Sequence, residues 1–200
     1  VDVVTTPALP SISAPAGAVG ILALGGTLDL RILSGGTVGS AVGAANVESY
    51  TGITGSLSSF SLEGVSGLTV VLTDLAFASN STSSAVVGAD LVDWTTLSDV
   101  DERLILDETV SLSVSGALTI DLGGFVAITA TFVFAQKSGI DAEVGAAGGG
   151  DDLFGADLLS FSLSNVNFFA GSGGVVDVVT TPALPSISAP AGAVGILALG

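Results

Sequence analysis

The sequence predicts an all-β fold: an antiparallel, β-sandwich-like repeat module set in an elongated array. Three observations carry that prediction. Apolar and polar residues alternate with a period of two over much of the chain, as in Val110–Leu122, VSLSVSGALTIDL, which is the signature of strands with two unlike faces. Glycine (28 residues) punctuates those runs. Finally, Val1–Gly25, VDVVTTPALPSISAPAGAVGILALG, is copied residue for residue as Val176–Gly200. Chance does not produce 25 identities in a row, so the chain reads as one period of a tandem array followed by the start of the next. The implied organisation is a Pro-rich connector at 1–16, an all-β module at 17–175, and the opening of the next repeat at 176–200.

Taken in order, Thr5–Pro15 carries Pro7, Pro10 and Pro15. Proline is excluded from helix interiors and central strands, so this segment is an extended connector. It is expected to pack on a neighbouring repeat or to lie along its sheet edge. Gly20–Leu33 holds two short strands around Gly25 and Gly26, and further strands are expected at Leu57–Leu62, Leu68–Phe77, Ala85–Trp94 and Arg103–Asp107. Next comes a long hairpin. Val110, Leu112, Val114, Leu118, Ile120 and Leu122 share one face, and after Gly123 and Gly124 the run FVAITATFVF puts Val126, Ile128, Phe132 and Phe134 in phase; such Val/Leu/Ile/Phe faces are the ones expected to be buried. A two-residue turn would place those four on the Ser/Thr face, because a one-residue slip inverts every side chain. A three-residue loop, Gly123–Phe125, instead pairs Leu122 with Val126, Ile120 with Ile128, Leu118 with Ala130 and Val114 with Phe134. Gly116 then lies opposite Phe132, whose ring can cover the missing side chain. Two more strands, Leu158–Leu163 and Val166–Ala170, complete the period, and no amphipathic helix is expected. Weak internal similarity, Val65–Leu72 with Val114–Leu122 and Gly88–Asp101 with Gly155–Asn167, keeps a β-solenoid as the alternative architecture.

Composition narrows function. There are 19 Asp plus Glu against 3 Lys plus Arg, with no His and no Cys. That excludes disulfides, thiolate or imidazole metal sites and His-based triads. A net charge of −16 argues against nucleic acid and anionic membranes. Mean hydropathy is +0.83, yet Ala16–Leu24 and its copy Ala191–Leu199 are about half the ~20 residues a spanning helix needs.

Only a hard cation held by oxygens fits this residue set, which makes calcium the candidate ion, with no cofactor required. The densest acidic patch, Asp99, Asp101 and Glu102, followed by Asp107 and Glu108, is its first candidate site; Arg103 offsets part of that charge. The second is AGGGDDLFG (Ala147–Gly155), with Asp151 and Asp152 and with Asp157 nearby. That segment resembles one calcium-binding nonapeptide of the RTX family, and the resemblance implies Asp152 as ligand and Phe154 as a buried residue. Carboxylate pairs such as Asp151/Asp152 or Asp90/Asp93 would suit a glycosidase only in a cleft with aromatic subsites. With one Trp and one Tyr, no enzyme is expected. Asn80-Ser81-Thr82 matches a glycosylation acceptor and places Asn80 in an exposed loop. Phe168 and Phe169 are expected in the core or against the next repeat.

The whole period, and the phrase GGFVAITATFVFAQK (Gly123–Lys137) in particular, resembles the tandem-repeat regions of giant secreted or surface proteins of Gram-negative bacteria, adhesin-like and distantly RTX-like. That resemblance implies an extracellular or cell-surface location. The functional expectation is a structural repeat of a filament whose partners are neighbouring copies of itself. An adhesin repeat gripping surface glycans through multivalency is the alternative. Solvent-facing Trp94, Tyr50 or Phe169 would favour adhesion, and the same residues buried would favour a scaffold.

Overall fold

The computed structural model describes residues 13–34, 49–83, 91–143, 153–177 and 185–200. Six long strands follow one another as an antiparallel meander: β1 (Gly20–Ser34), β2 (Ser49–Glu63), β3 (Leu68–Thr82), β4 (Val110–Leu122), β5 (Val126–Ala142) and β6 (Leu153–Ser172). Short β7 (Val175–Asp177) and β8 (Ser186–Ser188) pair in a second layer, and β9 (Val194–Ala198) adds to the outer edge of β6. The chain is therefore all-β, a seven-stranded antiparallel sheet with a small second sheet. All its described pairings are antiparallel, unlike the stacked coils of a parallel solenoid. Among the described residues the only helical pieces are two 3₁₀ turns, Trp94–Thr96 and Val100–Glu102.

The central hairpin has the predicted register. Leu122 pairs with Val126, Ile120 with Ile128, Leu118 with Ala130, Gly116 with Phe132 and Val114 with Phe134. Gly123 (φ 59°) and Gly124 (φ 73°) supply the left-handed backbone the loop needs. Its ends are held by Phe125 N–H to the Leu122 carbonyl at 3.0 Å and by Gly124 N–H to Asp121 Oδ1 at 2.8 Å.

Elsewhere the strands are longer than expected. Gly20–Ser34 is one strand, and 158–163 with 166–170 is one strand as well. Each contains a slip in alternation that reads as a break but is a bulge. Gly25 (φ 64°) in β1, Asp74 (φ 51°) in β3 and Asn165 (φ 50°) in β6 adopt left-handed backbone. Pairing shifts between Thr73 and Ala76 and between Thr129 and Thr131. A bulge reverses which residues face which side. The register then keeps apolar residues together across six strands. One row runs Leu28, Gly55, Phe77, Val114, Phe134, Phe161, and beyond the bulges another runs Ile21, Leu62, Val70, Ile120, Ile128, Phe168. Val110 departs from its expected phase: a shift between Val110 and Leu112 turns it to the other side, where it packs near Trp94.

The core lies on the side opposite to those rows, and this corrects the expectation that the large aliphatic face is the buried one. Ala127 (0%), Thr119 (1%) and Thr129 (1%) are inaccessible, whereas Leu28 (68%) and Phe161 (63%) are open. Small Ala, Thr and Gly side chains leave room for other elements to settle close to the sheet. Residues 91–109 cover one half, and β7–β8 cover a corner of the other.

One expected strand is absent, and another falls largely outside the described residues. Arg103–Asp107 is irregular. Of Ala85–Trp94, residues 85–90 lie outside the described residues, and 91–93 are irregular ahead of the turn at Trp94. The connector at 1–12 also lies outside them, but part of its copy, Ser186–Ser188, is the strand β8.

Candidate functional site

The two copies of the repeated segment occupy different places on the same sheet. In the first copy, Gly20–Ala23 pairs with β2, Ile21 with Leu62 and Ala23 with Phe60. In the second, the same residues are Gly195–Ala198, and they pair with β6: Ala198 with Phe168, Leu197 with Phe169, Ile196 with Ala170, Gly195 with Gly171 and Val194 with Ser172. Strand directions alternate across the sheet, so β1 and β9 run the same way and use opposite edges. Facing is preserved too. Ile21 and Ala23 lie on the apolar side with Leu62 and Phe60, and Ile196 and Ala198 lie on that side with Ala170 and Phe168.

The approach to each strand is equally conserved in shape. The Ala18 N–H bonds the Pro15 carbonyl at 3.0 Å, and the Ala193 N–H bonds the Pro190 carbonyl at 2.9 Å. Gly17 (φ 81°) and Gly192 (φ 95°) make the same turn.

Glycine marks the join. A Cβ on Gly171 would lie 2.5 Å from Gly195 Cα, and one on Gly195 would lie 2.7 Å from Gly171 Cα and press on the Ala170 carbonyl. No side chain fits between those backbones. At Gly20, the first-copy equivalent of Gly195, a Cβ would meet nothing within 4 Å. The strand therefore carries a glycine that its first environment does not need and its second environment does. Beside the join, Phe169 (1% exposed) packs with Ala127 and Ile187, and Val176 and Ala193 close around them. Gly174 leaves space for the Phe169 ring. The expectation for Phe169 holds in both its parts, since the ring is core and its backbone pairs with the second copy. At the end of the join, Gly200 N–H reaches Asn167 Oδ1 at 3.3 Å.

The cover over the other half is organised by Trp94. Its ring lies over Gly52, where a Cβ would come within 2.6 Å of Cε2. Its indole N–H donates to Asn80 Oδ1 at 3.0 Å, and Asn80 Nδ2 donates to the carbonyls of Val92 (2.8 Å) and Asp107 (3.2 Å). Asn80 is thus 2% exposed within β3. This corrects the exposed-loop expectation and takes Asn80 away from any glycosylating enzyme. Its donors and acceptor are used to satisfy groups that burial would otherwise strand. The tripeptide match concealed this because Asn80 also has the parity of an inward strand position.

The acidic patch is spent on turns. Asp93 Oδ1 accepts from the Thr95 N–H at 2.9 Å and Asp99 Oδ1 from the Asp101 N–H at 3.2 Å. Asp107 Oδ1 accepts from the Thr109 hydroxyl (2.6 Å) and N–H (2.9 Å). The hydroxyl bond above all holds its carboxyl below the usual carboxylate range. Arg31 Nε lies 2.6 Å from Glu102 Oε2, charge against charge, although its N–H is not aimed at that oxygen. This partly exposed pair ties the cover to β1 and adds little stability. Among the described residues no three acidic side chains converge on one point. Asp99, Asp101 and Glu102 surround a 3₁₀ turn, Asp157 is exposed on β6, and Asp151 and Asp152 lie outside the described residues. Phe154, which the nonapeptide resemblance implies to be buried, is 76% exposed. Of Trp94, Tyr50 and Phe169, the aromatics that would signal adhesion if exposed, Trp94 and Phe169 are buried and Tyr50 is half-buried. No helix among the described residues is long and apolar enough to cross a membrane. No protein-family model, curated protein or solved structure matches the chain.

Proposed function

We propose that the chain is a non-catalytic structural repeat of an extracellular or cell-surface fibre. Its copies join edge to edge, so that one antiparallel sheet runs through successive repeats. The observation that carries this reading is the pairing of β9, a verbatim copy of the start of β1, with β6. Each period contributes six long strands, which at ~4.8 Å per strand is about 29 Å of fibre. Pairing also solves a problem of the isolated sheet, since long unpaired edges such as β1 and β6 invite uncontrolled aggregation. The copied connector serves as a peg: Ile187 (5% exposed) inserts beside Phe169 and Ala127 and fixes β9 against its neighbour. A net charge of −16 keeps finished fibres apart in water.

The copied numbering extends the join beyond Gly200. Both β1 and β6 change facing at the same level, at Gly25 and at Asn165, so the register of Phe168 with Ala198 carries on. Leu28, Leu30 and Ile32 of the following copy then lie opposite Leu163, Phe161 and Leu159. All six are more than 40% exposed without that neighbour. Cross-linking tests the register, because the chain has no Cys and opposed antiparallel residues have Cα separations of about 4.5–5.5 Å, within disulfide reach. In a chain of two full periods, Leu163→Cys in the first with Leu28→Cys in the second is expected to form a disulfide on mild oxidation. Leu163→Cys with Thr27→Cys, on opposite faces, is expected not to. Equal or no cross-linking in both would overturn the register.

A further inference from the structure

We infer that two such sheets stack through their apolar faces, giving a two-layered fibre in which the occupant of each face is the same face of a second copy. This rests on the edge-joined reading above. Among the described residues, the face turned away from the Trp94 cover is the open one. Its paired rows contain Leu, Ile, Val, Phe, Ala and Gly, with Ser79 and Gln136 in one outer row and Thr51, Ser81, Ser34 and Ser49 beyond it, and none of those paired positions is charged. By contrast, Asp29 and Arg31 of β1 and Asp121 of β4 lie on the covered side, level with Thr54, Gly52 and Ala127. Apart from the far end of β6, where Asp157 shares the side of Leu159 and Phe161, a chain of net charge −16 has thus kept this broad surface free of charge among the described residues.

The size of that surface decides what it is for. Six strands by about 13 residues give roughly 29 by 43 Å, or about 1,200 Å² per period. Solitary soluble proteins expose apolar patches of a few hundred Å², and a stable interface needs ~800 Å² from each partner. The face also continues across the join, because Ile196 and Ala198 present the side that Ile21 and Ala23 present. A surface that repeats every ~29 Å is matched along its whole length by another surface of the same period. A second copy of the sheet provides that, packed face to face at ~10 Å as in other sheet pairs.

The test is mass per unit length of fibres formed by multi-period chains, measured by dark-field scanning transmission microscopy, for the natural sequence and for Phe161→Lys. Phe161 is 63% exposed in the single sheet, so lysine is compatible with that sheet and not with a buried layer contact. Two repeats per ~29 Å for the natural chain, falling to one with Phe161→Lys, is the expected result. One repeat per ~29 Å in both overturns stacking while leaving the edge-joined sheet intact. Two repeats in both overturns this face as the contact. Fibres with no ~29 Å period overturn the edge-joined reading itself. A natural chain with one repeat per period that binds no hydrophobic dye shows that the face is covered within a single sheet, and this too overturns stacking.

Discussion

Trp94→Ala is expected to cost about 3–5 kcal/mol of stability, the range for removing a buried aromatic. The ring is the largest fully buried side chain in the cover. It fills the space above Gly52 and touches the cluster of Leu104 and Leu106. Its loss also leaves Asn80 Oδ1 without its indole donor, a buried acceptor that costs a further ~1–3 kcal/mol if water does not reach it. Chemical denaturation of the two chains gives the difference. A change below ~1 kcal/mol would mean that residues 91–109 do not hold the sheet. Trp94→Phe keeps most of the ring packing while losing the N–H and part of the volume, so it should fall between the two.

Gly195→Val is expected to detach β9 from β6, while Gly20→Val leaves the molecule folded and the join intact. The two substitutions change the same residue of the same 25-residue sequence. Their effects differ because a Cβ at 195 meets the backbone of Ala170 and Gly171, and a Cβ at 20 meets open space. Backbone cannot yield as a flexible side chain can. Hydrogen exchange at Phe168–Ser172 and Val194–Ala198 reads the outcome. Gly195→Val should reduce protection there to that of an unpaired edge, a loss of two orders of magnitude or more where the join is worth ~3 kcal/mol. Gly20→Val should change it little, since β-branched residues suit strands. Equal effects at both sites would mean that the β6 contact does not explain the glycine.

Much of the fold was legible in the sequence, and the hairpin shows why. In Val110–Val126 the alternation is unbroken from Leu112 onward, so only one loop length keeps apolar residues on one side, and register follows. At Gly25 and Asn165 the alternation slips by one. From sequence alone such a slip looks like a strand end. In the sheet it is a bulge that neighbouring strands share at nearly the same level, and no single strand carries that information. The inverted core has a similar origin. Periodicity divides the residues into two faces but does not say which face receives the cover. That depends on Trp94, Leu104 and Leu106, which belong to an irregular segment without periodic signal. The join was half legible. The 25-residue copy announced a neighbour, and the prolines announced an ordered connector. The glycine at position 20 was a further sign, because glycine within a strand marks close approach of another backbone, and its meaning emerged only when its copy was placed on β6.

Length against number of periods bears hardest on the continuous sheet. Chains of two, three and four full periods, imaged singly or measured by small-angle scattering, should lengthen by about 29 Å with each added period and remain stiff. Modules tethered by open connectors would instead lengthen irregularly and bend at each joint, and that result would contradict a sheet shared between copies.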